Sequence, residues 1–163
     1  MNIIFLDVDG VLNSINKLVK EYNKTNKPHS GYSYPFDETC LRNLQILIRE
    51  TNSKLVVTST WRRDKTGRET LLNALKDYEL DKEVIGYTPI LLGKKRSVEI
   101  KQYLSTLKES SDFIILDDDK DMGELLPFLI KTDIQKGLTY ENVQEAITKL
   151  NKLKVKKEDE FER

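Results

Sequence analysis

The sequence is poor in cysteine and has no excess of either charge. Cys40 is its only cysteine, which excludes an intrachain disulfide and is typical of a protein in a reducing compartment. Its 27 basic and 27 acidic residues cancel, which argues against a basic nucleic-acid coat protein and an acidic tail protein. No apolar run approaches the roughly 20 residues of a membrane helix, and the start MNIIFLDVDG lacks the basic region of a signal peptide. We therefore expect a cytoplasmic protein that does not enter a membrane, and 163 residues suit a single domain.

Short apolar runs alternate with amphipathic segments along the chain. The apolar runs predict strands over residues 2–6, 54–57, 84–87, 112–116 and 128–131. The amphipathic segments predict helices over residues 38–50, 69–78, 97–107 and 139–153, the first of them capped by Asp37. This order indicates an α/β fold in which helices cover both faces of a parallel sheet, a Rossmann-like three-layer α/β/α arrangement. Ligands bind at the carboxyl ends of the strands in such sheets.

Two segments depart from this alternation. Residues 13–36 join the first strand to the first predicted helix, and residues 15–22 are expected to form a short helix within them. A connection of this length beside the ligand edge is more often functional than incidental, and a structural surface loop is the alternative. Residues 154–163 are nearly all charged, which predicts a frayed helical end or a disordered tail. We therefore expect one domain over residues 1–153, followed by this tail.

Asp7 and Asp9 stand just past the first predicted strand, one residue apart. Two carboxylates held this close repel each other, and a divalent cation or a proton would relieve the repulsion. One aspartate could attack phosphorus while the other moves a proton to and from the leaving oxygen. The alternative is an ordinary turn or helix cap, and Gly10 favours a sharp turn in either case.

A polar run follows the second predicted strand. The hydroxyls of Thr58 and Ser59 could donate to a phosphate oxygen, or they could simply cap a helix. Arg62 could form a bidentate hydrogen-bonded pair with a phosphate, or it could be a solvated surface residue.

Charged residues lie beside two further predicted elements, basic ones before a helix and acidic ones after a strand. Lys94, Lys95 and Arg96 precede a predicted helix and could neutralise a phosphate, or they could form a basic surface turn. Asp117 and Asp118 begin an acidic run after a fully apolar strand. Such a run suggests a site for a hard cation, with a capped loop as the alternative.

The order of these signals along the chain resembles that of the haloacid-dehalogenase (HAD) superfamily of phosphotransferases. The segments that carry the resemblance are IIFLDVDGV, KLVVTST, GKKRSVEI and FIILDDD, and it spans about residues 3–139. The chain also resembles the small HAD domains associated with RNA-repair proteins. By this resemblance, residues 13–36 would be a minimal cap on an otherwise open site.

The resemblance implies a role for each candidate residue. Asp7 would be the nucleophile that forms an aspartyl-phosphate, and Asp9 the general acid and then the general base. Mg²⁺ would be held by Asp7, by the backbone carbonyl of Asp9, and by Asp117 or Asp118. Thr58, or alternatively Ser59, would bind a phosphoryl oxygen, and Arg96 or Lys94 would supply the stabilising cation. The remaining substrate contacts would come from Gly10 and Arg62.

An open site suits bulky substrates, so we expect a Mg²⁺-dependent phosphomonoesterase that acts on a nucleotide or a nucleic-acid terminal phosphate. The alternatives are a small-metabolite or phosphoprotein phosphatase and, from another class, a non-catalytic HAD-like binding domain. The aromatic residues near the site could stack a base or could pack the connection onto the domain; they are Tyr22, Tyr32, Tyr34, Phe36 and Trp61. A phosphoacceptor receiver domain is disfavoured, because the middle strand ends in Thr58 instead of an aspartate. The sequence predicts no oligomeric state.

Overall fold

Five parallel strands form the centre of the fold. The structure is a computed structural model that describes residues 1–161, without the side chains of residues 157, 158 and 161. The strands are β1 (Asn2–Leu6), β2 (Ser53–Val57), β3 (Val84–Tyr87), β4 (Asp112–Asp117) and β5 (Leu129–Lys131). They lie side by side in the order β3-β2-β1-β4-β5. The parallel α/β/α arrangement predicted from the sequence is confirmed.

The helices are α1 (Ile15–Thr25), α2 (Glu38–Thr51), α3 (Lys65–Lys76), α4 (Arg96–Ser105) and α5 (Tyr140–Phe161). Short 3₁₀ turns cover Gly31–Ser33, Thr60–Arg63, Asp81–Glu83 and Gly123–Phe128. Helix α3 begins four residues before its predicted start, because the side chain of Asp64 accepts a hydrogen bond from the Gly67 N–H and caps the helix. Helix α5 continues through residues 154–161 of the predicted tail, and residues 162 and 163 lie outside the described residues.

The two faces of β1 belong to separate apolar cores. Ile4 and Leu6 pack with side chains of α2, α3 and α5 on one face of the sheet. Ile3 and Phe5 lie on the other face, where they pack with Ile100 of α4 and with neighbouring strand residues. These four of the five β1 side chains are fully buried. This burial on both faces explains why the strand is apolar throughout and does not alternate with polar residues.

The central strand pairs in register with both neighbours. Asn2 to Leu6 of β1 pair with Ser53 to Val57 of β2 and with Asp112 to Leu116 of β4. The hydrogen bonding extends one residue beyond the strands, since the Asp7 N–H donates to Leu116 O at 3.0 Å and the Thr58 N–H donates to Leu6 O at 2.9 Å. The ends of the three strands are therefore level.

The connection from β1 to α2 carries a longer helix than predicted. The Ser14 hydroxyl caps α1 by accepting from the Lys17 N–H, and Asn26 ends the helix with a left-handed backbone conformation. Tyr32 and Phe36 then pack edge-on against the ring of Trp61, at centroid distances of 5.0 and 5.2 Å. These aromatic residues hold the connection on the domain.

None of the helices in residues 1–161 combines the length and apolar content that crossing a membrane requires.

The packing of α3 on the 60–63 turn predicts an unusual response to a glycine substitution. In most helices Gly→Ala stabilises by about 1 kcal/mol. A Cβ at Gly67 would lie 2.2 Å from the carbonyl oxygen of Trp61 and 2.8 Å from the ring of Tyr32. We therefore expect Gly67→Ala to lower the free energy of unfolding by about 1–3 kcal/mol, measured by urea denaturation.

Thr66→Ala is the matched control, because Thr66 is exposed on the same helix turn. We expect that variant to be neutral or slightly stabilised. A Gly67→Ala protein that is more stable than the wild type would contradict the close packing of α3 on this turn.

Candidate active site

Three acidic side chains meet at the carboxyl ends of β1 and β4. Each of Asp7, Asp117 and Asp118 offers a carboxylate oxygen, and these oxygens lie within 4.8 Å of one another. Asp7 is only 5% exposed and Asp117 is fully buried. The level ends of the two paired strands place these residues side by side. We call these three residues the acidic cluster.

One guanidinium group contacts this cluster. Arg96 is the first residue of α4, and its Nη1 lies 3.0 Å from Asp7 Oδ2 and also donates to Asp117 Oδ2. Burial disfavours the charge of Arg96, but the two carboxylates outweigh burial and raise the pKa of the guanidinium. Arg96 therefore stays charged and balances part of the negative charge.

The acidic cluster has the chemistry of a site for a hard cation. Burial and the charge of Asp117 raise the pKa of Asp7 to about 7, although Arg96 opposes the shift. The same two causes raise the pKa of Asp118. A divalent cation beside these oxygens would restore their charged forms, and oxygen ligands are those that such cations prefer. The three residues therefore fit a metal ion.

The carboxylate of Asp9 lies outside the acidic cluster and is exposed to solvent. Asn13 Nδ2 donates to Asp9 Oδ1 at 2.7 Å, and Trp61 Nε1 donates to Asp9 Oδ2 at 3.2 Å. These two donors fix the orientation of an otherwise free carboxylate. Trp61 is 2% exposed and packed by aromatic rings, so its ring faces are not open to a base.

Sequence reasoning missed the roles of Asn13 and Trp61. The only local signal for Asn13 is its spacing of four residues from Asp9. Trp61 comes from a different segment, and only the three-dimensional fold brings its N–H to Asp9.

The two hydroxyls at the end of β2 differ in their partners. Thr58 is fully buried, and its Oγ1 has no hydrogen-bond partner within the described part of the chain. Leaving a buried hydroxyl unpaired costs about 1–3 kcal/mol, and such a group in a native structure calls for an explanation. Ser59 Oγ accepts from the Trp61 N–H at 3.3 Å and so caps the 60–63 turn. Thr58 is therefore the hydroxyl that is free to bind a ligand.

Arg62 has a structural role that the sequence did not predict. All five of its N–H groups donate within the protein; the acceptors are the carbonyls of Thr58, Ser59, Thr88 and Pro89 and the carboxylate of Glu99. This leaves no donor for the substrate contact expected of Arg62. Its guanidinium instead ties the end of β2 to the connection between β3 and α4.

The three consecutive basic residues have separate environments. Lys94 is exposed on the loop, and Lys95 pairs with Asp121 at 2.9 Å. Arg96 alone of the three contacts the acidic cluster.

Gly10 shapes the loop between Asp9 and the acidic cluster. Its φ is +76°, and a Cβ at this position would lie 2.8 Å from Asp118 Cγ. Its N–H donates to Asn13 Oδ1 at 3.0 Å, and its carbonyl accepts from Thr132 Oγ1. Gly10 thus allows the loop to pass close to Asp118.

Comparison with known proteins agrees with this geometry. Residues 3–143 match the family model of the HAD domain in Swiss Army Knife RNA repair proteins. No match to the chain was found among curated proteins or among solved structures. HAD domains are typical of phosphatase-like proteins and typically use a metal ion. The matched residues include both the acidic cluster and Arg96. The chain therefore belongs to the family of HAD domains found in Swiss Army Knife RNA repair proteins.

Proposed function

We propose that the protein is a Mg²⁺-dependent phosphomonoesterase that removes a terminal phosphate from a nucleotide or a nucleic acid through an aspartyl-phosphate intermediate. The observation that carries this proposal is the buried carboxylate of Asp7, held beside Arg96 at the strand edge where Thr58 presents an unpartnered hydroxyl.

Two carboxylates divide the chemistry between them. An Asp7 oxygen attacks phosphorus, the bond from phosphorus to the leaving oxygen breaks, and Asp9 gives that oxygen a proton. Asp9 then takes a proton from a water molecule as the water attacks the phosphorus of the aspartyl-phosphate, which frees Asp7 and releases phosphate. The Asn13 and Trp61 donors keep Asp9 oriented for both steps.

The remaining groups stabilise the phosphoryl oxygens. The Thr58 hydroxyl donates to one of them, which gives this buried group a partner. Arg96 offsets the charge that builds up around Asp7. The acidic cluster and the Asp9 backbone carbonyl would hold Mg²⁺, which supplies charge neutralisation and orients the phosphoryl group.

The substrate class rests on two observations. Asp9 is exposed to solvent, so a bulky leaving group has access to it. The family is described by its occurrence in RNA repair proteins. Both support a nucleotide or a nucleic-acid end in preference to a small sugar phosphate.

Replacing the nucleophile tests the mechanism. We expect Asp7→Asn to lower phosphate release by at least about 1,000-fold, because an amide cannot form the aspartyl-phosphate. The assay uses p-nitrophenyl phosphate, mononucleotides, and 3′- or 5′-phosphorylated oligonucleotides, each with Mg²⁺ or EDTA. Asp77→Asn is the matched control, because Asp77 is an exposed aspartate at the end of α3.

Turnover that survives in Asp7→Asn would overturn the covalent mechanism. If folded wild-type protein releases no phosphate from any of these substrates, the non-catalytic HAD-like binding role becomes the better description.

The contrast between Arg96 and Lys94 tests which cation serves the site. We expect Arg96→Ala to lower kcat for p-nitrophenyl phosphate by about 10- to 100-fold, because it removes the charge that contacts both Asp7 and Asp117. Lys94→Ala should stay within about threefold of the wild type. A larger loss in Lys94→Ala than in Arg96→Ala would reassign the cation to the loop.

The indole N–H of Trp61 tests the orientation of Asp9. Trp61→Phe keeps an aromatic ring against Tyr32 and Phe36 but removes the donor to Asp9. We expect kcat to fall by about 10-fold for a nucleotide, whose leaving oxygen needs a proton, and much less for p-nitrophenyl phosphate, whose leaving group needs little. A general loss of structure would lower both rates equally.

Tyr32→Phe is the control, since it removes a hydroxyl that bonds to Asp64 and not to Asp9. Equal losses on the two substrates in Trp61→Phe would contradict the orienting role of Trp61.

A further inference from the structure

A cavity of about 320 Å³ opens directly beside Asp9. Asp9, Gly10 and Asn13 line one part of it, and its other walls come from α1 and the residue before it, from the segment before α2 and from the loop after β5. The wall residues are Ile15, Leu18, Tyr34, Pro35 and Ile134, together with Ser14. Its volume is at the lower end of the range for small-molecule sites, which begins at about 300 Å³.

The side chains of Asn13 and Ser14, which line the cavity, are already bonded to the protein. The Asn13 amide donates to Asp9 and accepts from the Gly10 N–H. The Ser14 hydroxyl donates to Asp37 and accepts from the Lys17 N–H. The walls therefore present mainly carbon, and Asp9 brings the only charge among the lining residues. An anionic ligand has no partner here, whereas an uncharged ring does.

The wall formed by α1 is only partly covered by the protein. Each of the eleven residues of α1 is at least partly exposed, although Ile15 and Leu18 form an apolar side facing the cavity. Tyr34 and Ile134 on the other walls are 36% and 46% exposed. Apolar groups that converge on a concave surface favour a ligand that completes their burial.

A second groove, which includes Arg96 in its lining, has a different character. Basic side chains outnumber acidic ones in its lining, which contains Arg62, Arg63, Lys94, Lys95 and Arg96 together with Glu99, Asp119 and Asp121. The cavity beside Asp9 thus differs from this groove in having no cation among its lining residues.

We propose that this cavity binds the base of the nucleotide whose phosphate is removed, through contacts with its ring and without reading its identity. The position follows from the proposed function, on which this inference rests: Asp9 protonates the leaving oxygen, so the leaving nucleoside lies on the Asp9 side. The lack of base selectivity follows from the lining, which is mainly apolar and in which the Asn13 and Ser14 side chains are engaged within the protein.

Binding of the product tests the proposal without requiring turnover. We expect adenosine to bind the full-length protein in isothermal titration calorimetry, whereas ribose at the same concentrations gives no measurable heat. Adenosine, guanosine, cytidine and uridine should bind within about threefold of one another. Leu18→Ala and Tyr34→Ala should each weaken adenosine binding by at least about fivefold, since each removes apolar contact area.

The controls are Leu126→Ala and Tyr140→Ala, which remove exposed residues of the same types outside the cavity. They should bind adenosine as the wild type does. In kinetics, Leu18→Ala and Tyr34→Ala should raise KM for adenosine monophosphate by a similar factor and leave KM for ribose 5-phosphate unchanged. Circular dichroism checks that the variants are folded.

The outcomes separate this inference from the proposed function. Phosphate release without adenosine binding, or Tyr34→Ala and Leu18→Ala binding adenosine like their controls, would overturn the inference alone. A preference of tenfold or more for one base would overturn the lack of selectivity. Adenosine binding that depends on Leu18 and Tyr34, in a protein that releases no phosphate, would uphold the cavity as a base site and overturn the proposed function.

Discussion

The in-register pairing of β1 with β2 and β4 is the constraint on which the rest of the site depends. It brings the carboxyl ends of three separate strands to one level, so that Asp7 lies beside Asp117 and next to the Thr58 backbone. A slip of one residue in either pairing would turn each of these side chains to the other face of the sheet. The apolar side chains of β1 disfavour such a slip, because each of them would move from the core in which it packs to the core on the other face. The two cores thus fix the positions of the charges.

The electrostatic arrangement depends on a single turn of α4. Arg96 begins that helix and contacts the acidic cluster, while Glu99, three residues later, is buried and pairs with Arg62. Glu99 also accepts from the Leu91 N–H at 3.0 Å, which fixes the loop before the helix. Breaking a buried pair by removing one partner typically costs about 3–5 kcal/mol. The Arg62–Glu99 pair therefore anchors the helix end that carries Arg96 to the end of β2 that carries Thr58.

The sequence predicted the sheet and the strand-end residues well, because both depend on local patterns. The apolar runs before Asp7, Thr58 and Asp117 mark buried strands, and strand ends in a parallel sheet share one edge. Helix boundaries were less accurate: α3 starts at the cap supplied by Asp64, a signal outside the apolar periodicity. The contacts of Arg62 and Trp61 could not be predicted, because their partners lie on other segments. Burial decides whether an arginine bonds within the protein or is available to a ligand. No property of the Trp-Arg-Arg sequence indicates which arginine is buried.

The placement of Trp61 has a consequence for spectroscopy. It is the only tryptophan in the chain, so all of the indole fluorescence comes from one ring. That ring is buried against Tyr32 and Phe36 of the connection after α1, and its N–H bonds to Asp9. Its emission is therefore sensitive both to the packing of this connection on the domain and to the environment of the Asp9 carboxylate. The protein therefore contains an intrinsic fluorophore in direct contact with Asp9.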